Sequence, residues 1–86
     1  MYRVSLARRA QKDLDKLPGQ LFERLLTTLA ALGNDPRPYG CEKLHGPEEG
    51  FRIRAGEHRI LYDIDDARHE VLVLRLKHRR EAYRES

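Results

Sequence analysis

Five cations fall in two short stretches late in the chain: Arg52, Arg54 and Arg59 in "FRIRAGEHRILYDI", Arg75 and Lys77 in "EVLVLRLKH". Each fills a polar slot of an alternating pattern, so each should leave its strand on the side away from the apolar neighbours. Planar guanidinium groups match phosphate oxygens bidentately and keep their charge at any relevant pH, so such a face suits an RNA or DNA backbone. The competing account is a solvated face that only keeps a sheet soluble. A solubilising face would interleave both signs, yet Glu57 and Asp63 are the only acids between Phe51 and Ile64.

Clustered arginines beside His and Tyr suit RNA cleavage without a metal. That reaction needs a 2′-hydroxyl activated, a pentacoordinate phosphorane neutralised and a leaving 5′-oxygen protonated. Arginine serves the second task, because its fixed charge can be aimed where negative charge develops. The other two need a group that exchanges protons near neutrality, and His58, His78, Lys77 and Tyr83 are available near the basic face. His78 stands beside Arg79, and positive neighbours favour its neutral, basic form. Tyr83 stands among Arg79, Arg80 and Arg84, whose field promotes phenol ionisation. Structural accounts compete: His58 as an exposed neighbour of a turn, Tyr83 as a ring closing the core. His45 and His69 read as structural or exposed, and Tyr2, Tyr39 and Tyr62 as packing or surface residues. Ser5 reads as a helix cap, since no His/Asp constellation marks it as a nucleophile.

The elements that must position these groups follow from periodicity. Residues 2–6, "YRVSL", predict a short strand, with Ser5 as N-cap of the helix after it. Ala7, Ala10, Leu14 and Leu17 recur at helical spacing until Pro18, and Leu21, Leu25, Leu29 and Leu32 repeat the pattern until Gly33 and Asn34 offer a C-cap. Beyond the turn-rich "GNDPRPYG", the "CEKLHG" segment predicts a brief strand, and three longer strands form a meander. A two-residue loop at Gly56-Glu57 would pair Ala55 with His58, Arg54 with Arg59, Ile53 with Ile60 and Arg52 with Leu61. Phe51, Ile53, Ile60, Tyr62 and Ile64 would then share the face under the helices. On the last strand Leu72, Leu74 and Leu76 are expected on that face, with Val71, Val73, Arg75 and Lys77 opposite. The expected fold is α+β: a short N-terminal strand, and an α-helical hairpin on a mainly antiparallel three- to four-stranded sheet. A short C-terminal helix or tail would follow, all in a single domain spanning 1–86.

Composition bounds the rest. A chain of 86 residues has room for one core, and 36% charged with 40% hydrophobic residues is a globular balance. Seventeen Lys and Arg against fourteen Asp and Glu give +3, which hints at a polyanionic partner. Cys41 is the single cysteine, so no intramolecular disulfide and no zinc site are expected, and no cofactor is called for. The N-terminus carries no apolar h-region and no run of about 18 apolar residues occurs, which points to the cytoplasm.

The order strand, helical hairpin, meander, with "KLHG" (Lys43 to Gly46), "FRIRAGEHRILYDI" and the ending "LRLKHRREAYR", closely resembles the RelE branch of the RelE/ParE toxin superfamily over nearly the whole chain. The resemblance implies a type II toxin: a metal-independent endoribonuclease that cuts mRNA in the ribosomal A site and is silenced by a cognate antitoxin protein. Its partners would be that antitoxin, the ribosome and mRNA. Carried over by position, Arg52 and Arg54 stand where the family has basic residues, often lysines. Arg59 stands at the arginine that contacts the scissile phosphate. Arg79 matches the C-terminal arginine, and Tyr83 the tyrosine credited with proton transfer or base stacking. His78 occupies a place where some members have lysine. With arginine replacing lysine at 52 and 54, proton transfer passes to His78 or Tyr83. Lys43, Arg75, Lys77, Arg80 and Arg84 would bind RNA. The alternative is the ParE branch, non-enzymatic inhibitors of DNA gyrase, against which the terminal "HRRE-x-Y" argues.

Overall fold

A computed structural model describes residues 1–44 and 50–78 of the chain. The elements run β1 (Arg3–Leu6), α1 (Arg8–Asp15), α2 (Gly19–Asn34), β2 (Glu42–Lys43), β3 (Phe51–Ala55), β4 (His58–Asp65) and β5 (Glu70–His78). They form an α+β domain whose five strands lie in the order β1-β5-β4-β3-β2. The N-terminal strand thus joins the sheet, pairing in parallel with β5 from Arg3↔Glu70 to Leu6↔Val73, while the other pairs are antiparallel.

Hydrophobic burial seats the helices on one face. Ala10 and Leu14 of α1 and Leu25, Leu29 and Leu32 of α2 pack against Ile60, Tyr62, Val71, Val73 and Leu76. Each buried Leu, Ile or Val among them contributes about 1.5–3 kcal/mol on leaving water. Tyr62 is fully buried and keeps its hydroxyl satisfied by donating to the Pro36 carbonyl at 2.8 Å. Burial, before any neighbouring charge, raises the Tyr62 pKa.

Three expectations change. The N-cap of α1 is Ala7 rather than Ser5, which lies within β1; its side chain leaves the strand exposed, and no side chain caps the helix. Gly33 does not end α2: the helix runs through Asn34, and Gly33 is buried where β1 crosses it. A Cβ there would stand 3.0 Å from the Tyr2 carbonyl, and the Tyr2 N–H donates to the Gly33 carbonyl at 2.7 Å, so the glycine serves close approach. On β5 the facing reverses partway. Leu61 pairs with Arg75 but Tyr62 pairs with Val73, leaving Leu74 as the extra residue of a bulge. Leu76 keeps its predicted place inside, whereas Val71 and Val73 are buried and Leu72 is exposed. One inserted residue flips every side chain beyond it.

Candidate nucleic-acid interface

The β3–β4 hairpin has the register read from its two-residue loop: Ala55↔His58, Arg54↔Arg59, Ile53↔Ile60, Arg52↔Leu61 and Phe51↔Tyr62. Gly56 takes φ 64°, the left-handed conformation that opens a tight hairpin loop without a side-chain penalty. Because paired residues share a face, the side of the sheet away from the helices carries two rungs of charge. One is Arg54, Arg59 and Lys77 across β3, β4 and β5; the other is Glu42, Arg52, Leu61 and Arg75 across β2 to β5. In the first rung two guanidinium groups and an amine stand in a row. Like charges placed directly opposite cost stability.

Glu42 is an anion that inspection of the sequence missed. It accepts from Arg52 Nη2 at 2.6 Å and Nε at 3.2 Å. The hydrogen bond from Arg52, followed by that residue's charge and the fields of Arg54 and Arg59, lowers the Glu42 pKa. The carboxylate therefore already sits where the positive potential of three arginines converges. The strand β2 is two residues long and is not joined to β3 by a two-residue turn, so no turn rule could have given the register of Glu42 in advance.

The other predicted residues fall in several places. Arg75 is largely buried and held by Asp13 of α1, Nε to Oδ2 at 2.8 Å and Nη2 to Oδ1 at 3.3 Å, while Asp13 Oδ2 also accepts the Leu76 N–H at 2.9 Å. Burial pushes the Asp13 pKa up, and the hydrogen bonds from Arg75 and Leu76 outweigh it, leaving a net lowering. Lys43 pairs with Phe51 and so projects to the side opposite Arg52. His58 is buried at 6% exposure rather than exposed beside its turn. It pairs with His78, the rings in edge contact at 5.1 Å, and both lie on the helix side with Ile60 and Leu76. His78 Nε2 stands 3.3 Å from the Glu57 carboxylate. Together with Asp13, Lys16, Leu17, Arg75 and Leu76, the two histidines line a cleft of about 460 Å³ at the end of α1. The arginine rung and the histidine pair thus occupy opposite faces of the sheet. Arg79, Arg80, Tyr83 and Arg84 lie outside the described residues, as does the expected C-terminal helix or tail.

Among the described residues no cluster of His, Cys, Asp and Glu could hold a metal ion, and no helix is long and apolar enough to cross a membrane.

A small sheet with helices on one face and, among the described residues, a basic face that no helix covers defines the class, and the comparisons place the chain in it. Residues 4–83 match the family model described as the ParE toxin of the type II toxin-antitoxin system parDE. Toxin RelG of Mycobacterium tuberculosis is 32% identical over 84 residues, covering 96% of this chain and 97% of the relative. The chain belongs to the RelE/ParE superfamily of type II toxin-antitoxin toxins, and it is RelE-like. Among solved structures it is similar to the RelBE2 toxin-antitoxin complex of M. tuberculosis, with a TM-score of 0.81 and 32% identity. That match covers 91% of this chain and 98% of the other. The isolated RelE toxin of E. coli matches with a TM-score of 0.76 and 27% identity, over 99% of this chain and 94% of that one.

Proposed function

We propose that this toxin is a ribosome-dependent mRNA endoribonuclease, cutting mRNA in the ribosomal A site and so inhibiting translation. The observation that supports it most is the row of Arg54, Arg59 and Lys77 on the face away from the helices, a run of cations whose guanidinium groups match phosphate oxygens. In the proposed reaction the 2′-oxygen attacks the adjacent phosphorus and gives up its proton. Charge grows on the phosphoryl oxygens, and the 5′-oxygen leaves with a proton. Arg59, with Arg52 and Arg54 beside it, neutralises the phosphorane. Guanidinium groups are poor proton carriers, so the described face supplies Lys77 as the proton-exchanging group. This shifts the role away from His78, whose register sends it to the other face. Arg79 as a second clamp and Tyr83 as proton donor or stacking ring complete the proposed site, carried by the family resemblance, while Arg80 and Arg84 would hold flanking RNA. The grooves on this face are open, and ribosomal RNA would supply the ordering of the strand that they do not.

We further propose a cognate antitoxin as partner, acidic enough to complement a +3 chain, and a cytoplasmic site of action. Complexes with RelB antitoxins among the similar structures support this reading. The ParE description of the matched family keeps one rival, a non-enzymatic gyrase inhibitor.

Primer extension on an mRNA in a reconstituted translation reaction tests the proposal, run with and without ribosomes, alongside a gyrase supercoiling assay. Cuts that need ribosomes and vanish in Arg59→Glu are expected. Intact mRNA with inhibited supercoiling would transfer the protein to the rival class.

A further inference from the structure

Tyr39 is an aromatic ring that the fold does not use. It is exposed at 105% of the reference value and makes no part of the core. The segment that carries it is nevertheless pinned at nearly every residue. Asp35 closes α2 by donating its N–H to Ala31 at 3.0 Å, and the Arg37 N–H donates to the Asp35 carboxylate at 3.1 Å. The Pro36 carbonyl accepts from the buried Tyr62 hydroxyl. The Arg37 guanidinium forms a bidentate pair with Asp66, at 3.1 and 2.8 Å, and lies 5.3 Å from the centre of the Phe51 ring. Pro36 and Pro38 fix two φ angles, the Cys41 N–H donates to the Pro38 carbonyl, and Gly40 takes φ 93° directly after the tyrosine. A large apolar ring held in water on a rigid support is costly surface unless something covers it.

What would cover it is indicated by its neighbours. Tyr39, Gly40, Glu42, Arg52, Ile53 and Arg54 line one open groove of about 440 Å³. A ring bordering arginines that can take phosphates is the arrangement that binds single-stranded nucleic acid, because every base has a face to stack while its backbone follows the charge. A protein segment would not need the ring and the phosphate-matching forks side by side. We propose that Tyr39 is a stacking platform for an unpaired base of the RNA strand whose phosphates lie on Arg52 and Arg54. This inference rests on the RNA-binding reading of the basic face. It adds a base-contacting position on the β2 side of the sheet, remote in sequence from the C-terminal tyrosine.

The chain contains no tryptophan, so Tyr39→Trp introduces a single reporter at the site. Two probes are titrated at low salt: a single-stranded mixed-sequence ribo-octamer, and an abasic sugar-phosphate octamer of equal charge. Fluorescence anisotropy of a dye on each octamer reads binding independently. The expected result is quenching of the tryptophan by the ribo-octamer and little by the abasic one. In the tyrosine background, Tyr39→Ala should weaken ribo-octamer binding about tenfold and Tyr39→Phe by less than about twofold. Melting temperature should not move in either, since among the described residues the ring is fully exposed. If both octamers bind equally, Arg54→Ala weakens both and Tyr39→Ala weakens neither, the stacking role is overturned while the phosphate face stands. If the unsubstituted protein binds neither octamer, the RNA reading of the face falls and takes Tyr39 with it.

Discussion

On the proposed reading, Glu42 and Lys77 set what the arginine face does, one as the anion already on it and the other as the proton-exchanging group. On that reading the carboxylate among three arginines holds a place that an RNA phosphate would take, and RNA would have to displace it. Glu42→Gln keeps the shape and removes the charge. It should strengthen binding of a single-stranded ribo-octamer about fivefold at 0.1 M salt, measured by anisotropy; unchanged affinity would mean that phosphates never approach Arg52. Lys77→Arg asks the complementary question, since it preserves charge on the rung with Arg59 while removing an amine that can deprotonate. Octamer affinity should hold within about twofold while ribosome-dependent cutting falls about 100-fold. Cutting at the normal rate would return proton transfer to His78 or to Tyr83.

Helix α1 is more than a lid on the core, because it closes an edge of the sheet. Strand β1 covers β5 only as far as Val73. Past that point Asp13 takes over: it accepts the Leu76 N–H that a longer β1 would have bonded, and pairs with the nearby Arg75. Removing it takes the carboxylate from a largely buried cation and from a strand N–H together. Asp13→Ala should cost about 2–3 kcal/mol in urea unfolding at pH 7, with Asp13→Asn recovering part by keeping the backbone contact. A loss under about 0.5 kcal/mol would show that the edge is held by packing alone. This element also marks where sequence reasoning stops. The facing of Arg52, Arg54 and Arg59 was legible because a two-residue loop leaves one register. The facing of Val71, Leu72 and Val73 was not, since nothing in "EVLVLRLKH" announces an extra residue at Leu74, and the partner of Arg75, 62 residues away on a helix, was equally hidden. The same gap hid His58: its slot in the alternation puts it with Ile60 on the helix side, yet its nearness to the turn argued for water.

At the scale of the molecule, one surface contact ties together three segments distant in sequence. Asp66, in the turn between β4 and β5, accepts from Tyr2 at 2.6 Å and pairs with Arg37 in the segment before β2. The hydrogen bond from Arg37, then that from Tyr2, holds the Asp66 carboxyl down to about 2, and the bond to Asp66 raises the Tyr2 hydroxyl in turn. A carboxyl lowered on folding contributes stability fully present above its unfolded value, near 4, and lost as pH falls towards 2. A phenol raised on folding contributes below its unfolded value, near 10, and loses that contribution as pH climbs past it. The tie is therefore at full strength between about pH 4 and pH 10. Asp66→Asn should lower the urea midpoint at pH 7 and flatten its decline between pH 4 and pH 2, so that the two proteins converge in acid. Parallel declines would place the acid sensitivity elsewhere, with Asp13 as the next carboxylate to replace. Because Arg37 also braces the turn that presents Tyr39, Asp66→Asn should loosen that ring. The octamer-induced quenching of Tyr39→Trp should weaken in the double variant at pH 7, although residue 66 itself touches no part of the arginine rung.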